Sequence, residues 1–227
     1  MQGPLTVASL AAMIDHSLLR ADATDADFDR LCREAVEYGF ATVAVNTAPV
    51  AYCAKKLNGT GVGVCAAVSF PLGQSPTATK IYEARQAIDE GATEIDFVLN
   101  IGRLKSGHLC EVGGEIEAVV KACSGVTTKV ILEMAYLTDD EKRLACELAI
   151  RAGADFVKTS TGMGPGGATL PDVLLLKSLA RGRAKVKAAG GIRNLDQAIA
   201  FVDSGVDRLG TSRAVEIITE ARDVLPE

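Results

Sequence analysis

Short runs of apolar, often β-branched residues alternate with longer amphipathic stretches along the whole chain. At several junctions the amphipathic stretch closes on a glycine and the next apolar run begins at once. This happens at Tyr38-Gly39-Phe40, Glu90-Gly91-Ala92, Ala152-Gly153-Ala154 and Ser204-Gly205-Val206. Glycine suits the left-handed residue that ends a helix. An apolar run immediately after it fits a parallel strand covered on its outer side by helices.

This pattern predicts strands near Met13–Asp15, Thr42–Asn46, Val62–Val68, Glu94–Leu99, Thr128–Glu133, Phe156–Lys158, Lys185–Ala188 and Asp207–Gly210. The helices between them begin at recognisable caps. Thr24-Asp25-Ala26-Asp27 opens the first, and Thr138-Asp139-Asp140-Glu141 is a capping box opening the fifth. Asn194 is expected to cap the seventh and Ser212 the eighth. A short helix near Thr6–Ala12 is expected to close the barrel bottom. Alternation without a linker indicates one α/β domain over residues 1–227, either a (β/α)8 barrel or a doubly wound sheet. Eight units in this length favour the (β/α)8 TIM barrel. The absence of G-x-G-x-x-G after the first strand weakens the dinucleotide-binding alternative.

Composition narrows the partners. The chain has 227 residues, 48% hydrophobic, with a net charge of −5. It has no basic cluster interleaved with aromatics, which argues against a nucleic-acid partner. No run approaches a membrane span, and Met1-Gln2-Gly3-Pro4-Leu5 lacks the features of a signal peptide. Six cysteines without C-x-x-C spacing read as reduced thiols of a cytoplasmic protein. Two histidines, His16 and His108, without paired cysteines argue against a His/Cys metal site.

The candidate chemistry lies at the C-terminal ends of the strands, where barrels of this kind place functional side chains. The polar residues there include Asp15, Ser17, Asn46, Ser69, Asp96, Asn100, Glu133, Lys158, Thr159, Lys187, Thr211 and Ser212. Lys158 and Lys187 end two successive strands, so they face one another across about one strand spacing, roughly 5 Å. At an effective dielectric of about 20, the repulsion there is roughly 3 kcal/mol, or about 2 pKa units. That moves a lysine towards the neutral amine that attacks a carbonyl. Asp96 lies in an apolar run and needs a cationic partner, for which the lysine pair is the obvious candidate. Each residue alone has a plain structural alternative. Lys158 could simply pair with Asp96, His16 reads as a core histidine, and Glu133 could be a buried hydrogen-bond acceptor. Two lysines and an aspartate together at one barrel end point to Schiff-base chemistry. A second constellation is glycine-rich: Gly164-Pro165-Gly166-Gly167-Ala168-Thr169, Gly190-Gly191 and Gly210-Thr211-Ser212. Loops after the last strands, with a helix N-terminus, form the recurrent phosphate site of such barrels.

These residues resemble the deoxyribose-phosphate aldolase family over nearly the whole chain, from Ile14-Asp15-His16-Ser17-Leu18-Leu19 to Gly210-Thr211-Ser212. The specific pieces are Glu94-Ile95-Asp96-Phe97-Val98, Val157-Lys158-Thr159-Ser160-Thr161-Gly162, Gly166-Gly167-Ala168-Thr169 and Val186-Lys187-Ala188-Ala189-Gly190-Gly191-Ile192-Arg193. The resemblance implies a barrel enzyme without metal or organic cofactor. Such an enzyme cleaves 2-deoxy-D-ribose 5-phosphate reversibly into D-glyceraldehyde 3-phosphate and acetaldehyde. It implies that Lys158 forms the Schiff base, Lys187 perturbs it, Asp96 moves protons and Asp15 supports the site. Thr159, Gly166, Gly167, Gly190, Gly191, Gly210 and Ser212 are expected to hold the phosphorylated sugar. A homodimer or homotetramer is expected. Two departures stand out: Ala44 occupies a position where the family often has cysteine, and Arg213 follows Ser212 where a second serine is common. The alternatives are a class I aldolase for another phosphorylated sugar, a catalytically silent phosphosugar-binding barrel and a metal-dependent aldolase. The intact lysine pair argues against the silent barrel, and the scarcity of histidine against the metal enzyme.

Overall fold

In the computed structural model, which describes residues 4–226, eight parallel strands close into a barrel in sequence order. The strands are β1 (Ile14–Leu18), β2 (Thr42–Asn46), β3 (Gly63–Val68), β4 (Glu94–Val98), β5 (Thr127–Ile131), β6 (Phe156–Lys158), β7 (Lys185–Ala189) and β8 (Arg208–Thr211). The expected TIM barrel is therefore the observed fold. Met1–Gly3 of the N-terminal stretch, and Glu227, lie outside the described residues.

Strand alternation divides the side chains cleanly. The outward positions Val43, Val45, Val64, Ala66, Ile95, Phe97, Val130, Val157, Val186 and Leu209 join the apolar core beneath the helices. The inward positions of the same strands carry Ala44, Cys65, Asp96, Lys129, Lys158, Lys187 and Arg208. A barrel interior is ordinarily filled by branched aliphatic side chains. Here much of it is charged.

The helices are α1 (Val7–Ala11), α2 (Asp25–Tyr38), α3 (Val50–Leu57), α4 (Thr77–Asp89), α5 (Ile101–Lys105), α6 (Leu109–Ala122), α7 (Asp139–Arg151), α8 (Leu170–Ala180), α9 (Leu195–Asp203) and α10 (Ala214–Arg222). The glycine rule holds in space: Gly39, Gly91, Gly153 and Gly205 all have positive φ, 72°, 104°, 80° and 87°. The Thr138–Glu141 capping box forms, and Asn194 Oδ1 accepts the Gln197 N–H at 3.0 Å. None of the described helices is long and apolar enough to cross a membrane.

Two expectations need correction. β1 runs on through His16, Ser17 and Leu18, because Asp15 and Ser17 are polar yet face the barrel interior. Ser212 does not cap α10; Arg213 occupies the cap position and makes no side-chain capping bond. The segment after β4 also folds into the extra short helix α5, capped by Asn100, whose Oδ1 accepts the Arg103 N–H at 3.1 Å.

Candidate active site

Lys158 and Lys187 are paired in register at the ends of β6 and β7. Both are buried, and both donate to Oδ2 of Asp96 at 2.7 Å. The expected cationic partners of Asp96 are thus the lysine pair. The other carboxylate oxygen, Oδ1, accepts from Lys129 at 2.8 Å and from the Cys65 thiol at 3.0 Å.

Asp15 lies beside this group with no exposed surface. It forms ion pairs with Lys187 at 2.5 Å and with Arg208 at 2.5 Å, and accepts the Thr42 hydroxyl at 2.8 Å. Glu94 completes the cluster by pairing with Lys129 and, at 3.2 Å, with Arg208. Three carboxylates (Asp15, Glu94, Asp96) therefore meet Lys129, Lys187 and Arg208, which balance them, plus Lys158, which is a fourth base.

The charge states follow from this count. Burial alone would raise the Asp15 and Asp96 carboxyls, but the surrounding cations hold both below the usual carboxylate range. Burial alone would depress Lys187, but Asp15 and Asp96 raise it above an ordinary lysine. Lys129 is raised in the same way, by Asp96, Cys65, Asp15 and Glu94 against burial. Lys158 goes the other way: burial depresses it, Lys187 depresses it further, and Asp96 opposes both. The lysine–lysine repulsion expected from the sequence is therefore secondary. Desolvation is the larger cause, because Lys158 is the cation for which the cluster holds no spare carboxylate.

Above the cluster opens a cavity of about 520 Å³, lined by Lys158 and Lys187 at its floor and by Ser17, Ala44, Gly190, Gly191, Gly210 and Ser212 on its walls. Thr161, Gly162 and Met163 of the loop after β6 also line it, as do Arg20, Arg193 and Arg213. Asp15 and Asp96 are absent from the lining; they act through the lysines they hold.

Three expected substrate-binding residues lie off the cavity wall. Thr159 points away from the barrel axis, its hydroxyl donating to Ala189 O at 3.2 Å and accepting from Ala189 N at 3.1 Å. Gly167 backs Gly190: a Cβ on Gly167 would lie 2.3 Å from Gly190 O, and Ala168 N donates to that oxygen at 3.0 Å. Gly166 packs towards Ala135, 3.0 Å from where its own Cβ would sit. These glycines allow the loop after β6 to brace the loop after β7.

His16 is buried, with Nε2 2.9 Å from Glu34, and burial depresses its pKa. Glu133 is buried too, and its Oε2 accepts the Thr161 N–H at 3.1 Å and the Thr161 hydroxyl. Burial raises its carboxyl, with the Thr161 hydrogen bonds opposing.

Lys129, Cys65, Glu94 and Arg208 were not singled out from the sequence. Alternation contained a signal for the first and last. Asp96 and Lys187 face inward, and so do their in-register neighbours, Lys129 on β5 and Arg208 on β8. Nothing local marked Arg20 or Arg193 as cavity residues, since both belong to loops.

Comparison with known proteins places the chain in a family. The family model described as DeoC/LacD family aldolase matches residues 9–209. The deoxyribose-phosphate aldolase of Carboxydothermus hydrogenoformans is 51% identical over 92% of this chain and 93% of its own length. That of Streptococcus equi subsp. zooepidemicus is 52% identical over 90% of this chain and 93% of its own. Among solved structures, the tetrameric deoxyribose phosphate aldolase of Aeropyrum pernix superposes with a TM-score of 0.90 at 36% identity, covering 97% of this chain and 94% of that one.

Proposed function

The chain belongs to the DeoC/LacD family of aldolases, and from that premise we propose how its cavity works: as the site of a class I deoxyribose-phosphate aldolase. The enzyme cleaves 2-deoxy-D-ribose 5-phosphate reversibly into D-glyceraldehyde 3-phosphate and acetaldehyde. The observation that carries this reading is the buried Lys158, set at the cavity floor in a cluster whose carboxylates are already matched by other cations.

Neutral Lys158 attacks the C1 aldehyde of the open-chain sugar, and the carbinolamine loses water to give an iminium. The iminium is the electron sink. A base removes the C3 hydroxyl proton, the C2–C3 bond breaks, and its electron pair forms the enamine. Glyceraldehyde 3-phosphate leaves; protonation of the enamine carbon and hydrolysis release acetaldehyde and restore the amine. Lys187 and Asp96, joined at 2.7 Å and both against Lys158 or its partner oxygen, supply the proton transfers together with water. Asp15 holds Lys187 in place.

The phosphate is read by backbone N–H groups around Gly190, Gly191, Gly210 and Ser212, with the α10 N-terminus behind them. Arg20, Arg193 and Arg213 give the mouth a positive field. The protein works as a homodimer or homotetramer, for which the tetrameric Aeropyrum relative is the support. Its unpaired cysteines suit a cytoplasmic location.

Reduction with borohydride in the presence of acetaldehyde, followed by peptide mass analysis, tests the assignment. An ethyl group on Lys158 is expected. Modification of Lys187 alone, or none in active enzyme, would overturn it.

A further inference from the structure

A second cavity of about 290 Å³ lies on the other side of the loop after β6, and Met163 lines both cavities. Pro71, Leu72, Ile101 and Tyr136 give it apolar walls. Leu72, Tyr136 and Met163 are 68%, 50% and 49% exposed, an unusual concentration of open apolar surface around one opening. The lining contains no lysine or arginine, so a phosphorylated ligand has nothing to pair with there.

The lining does contain Glu133, which is only 1% exposed. Its Oε2 is occupied by Thr161, while Oε1 has no hydrogen-bond partner. A buried polar atom without a partner is costly, so a donor is wanted at this place. Gly164 leaves room for one: a Cβ there would lie 2.9 Å from the Glu133 carboxyl carbon and 3.0 Å from Oε1. Gln74 is the other polar side chain with a carboxylate or amide on the lining, and apolar walls with a few polar groups are the usual make-up of a small-molecule pocket.

We propose that this cavity is an accessory site for a short neutral alcohol or aldehyde hydrate. The ligand's hydroxyl donates to Oε1 of Glu133 and its alkyl chain lies on Leu72, Ile101 and Tyr136. Because the other Glu133 oxygen holds Thr161, and Thr161 lines the catalytic cavity, occupancy alters how that cavity binds its substrate.

The test uses full-length protein labelled at the methionine methyl groups, with 1-butanol as probe. The Met163 methyl resonance reports on the pocket directly. Gly102→Leu supplies the blocked variant: Gly102 lines the cavity and a Cβ there meets nothing nearer than Asn100 Oδ1 at 3.7 Å, so the backbone accepts a side chain at the cavity wall. In the wild type the Met163 resonance should move and saturate at concentrations on the order of millimolar, as expected of so small a ligand. KM for deoxyribose 5-phosphate should change about twofold or more over the same titration. Both responses should vanish in Gly102→Leu, which should otherwise keep wild-type kinetics. A shift that never saturates, a saturating shift that survives in Gly102→Leu, or a constant KM would each overturn the proposal. The methyl titration does not depend on the aldolase reading, so failure of one is distinguishable from failure of the other.

Discussion

Lys158 and Lys187 share one acceptor, Oδ2 of Asp96, which each reaches at 2.7 Å. The oxygen sits between two ammonium positions of which only one, Lys187, has a second carboxylate, Asp15, to keep it charged. That asymmetry leaves Lys158 as the lysine that loses its proton more readily and Lys187 as the one held charged at rest, as the proposed Schiff base at Lys158 requires.

Lys187→Leu removes the cation that depresses Lys158 and leaves Asp15 and Asp96 short of positive charge. The Lys158 pKa then rises, so the acid limb of the kcat/KM profile should move to higher pH. Turnover should fall by about 10²-fold or more, the scale of a lost acid–base group. A pH–rate profile checks both; a wild-type profile would remove Lys187 from the mechanism.

Asp96→Asn should shift the profile in the opposite direction. Asp96 is the influence that raises Lys158, so without it the amine deprotonates at lower pH. Turnover should again drop about 10²-fold, because the relay has lost its acceptor. KM should change much less, since Asp96 does not line the cavity. Normal turnover in this variant would reduce Asp96 to a structural ion-pair partner.

Lys129 carries charge balance rather than chemistry. Lys129→Met keeps the bulk of the side chain but leaves Asp96 Oδ1 with only the Cys65 thiol and deprives Glu94 of a partner. Breaking a buried pair in this way costs about 3–5 kcal/mol of stability. Urea unfolding at neutral pH should show that loss. With less positive charge near Asp96, the acid limb of activity should also move up in pH.

The stability of the barrel should itself depend on pH through Asp15. Its folded pKa lies below the ordinary carboxylate value, with burial opposed by Lys187, Lys129 and Arg208. Its contribution is therefore fully present above the unfolded pKa of about 3.9 and is lost as pH falls towards the folded value. Asp15→Asn should lower stability at neutral pH and flatten its dependence below about pH 4. Equilibrium unfolding across that window is the measurement; identical slopes in both proteins would contradict it.

Gly190 and Gly191 should respond differently to a side chain. Around Gly191 a Cβ meets nothing within 4 Å, but its φ of 79° strains any other residue by about 1–2 kcal/mol. Gly191→Val should raise KM for deoxyribose 5-phosphate far more than for deoxyribose, because the added bulk enters the cavity. Gly190→Ala should act mainly on stability, since its Cβ would lie 3.0 Å from Gly167 Cα and 3.1 Å from Gly162 Cα. Arg213 is mostly exposed and held by Glu216 at 2.8 Å, so Arg213→Ser should weaken the phosphorylated substrate by under about 1 kcal/mol. Steady-state kinetics on both sugars separates these effects.

Legible in the sequence were the eight strand–helix units, which favoured a barrel over a doubly wound sheet, and the two lysines with their aspartate. These rest on local rules: helix-ending glycines, caps and two-residue alternation act within a few positions and leave a readable pattern. Polarity misled the reading only where the pattern turns inward, as at Asp15-His16-Ser17, which looked like the end of a strand and is its middle. Tertiary structure alone decided what each charge meets. Lys129 and Asp96 are 33 positions apart, and Arg208 and Asp15 are 193 apart. Closure of the barrel brings them into one desolvated cluster, where the balance of carboxylates against cations leaves Lys158 without a carboxylate of its own. Closure likewise put Thr159, Gly166 and Gly167 behind the cavity wall, since residues adjacent in the chain point to opposite faces of a strand and a loop can brace its neighbour instead of facing the ligand.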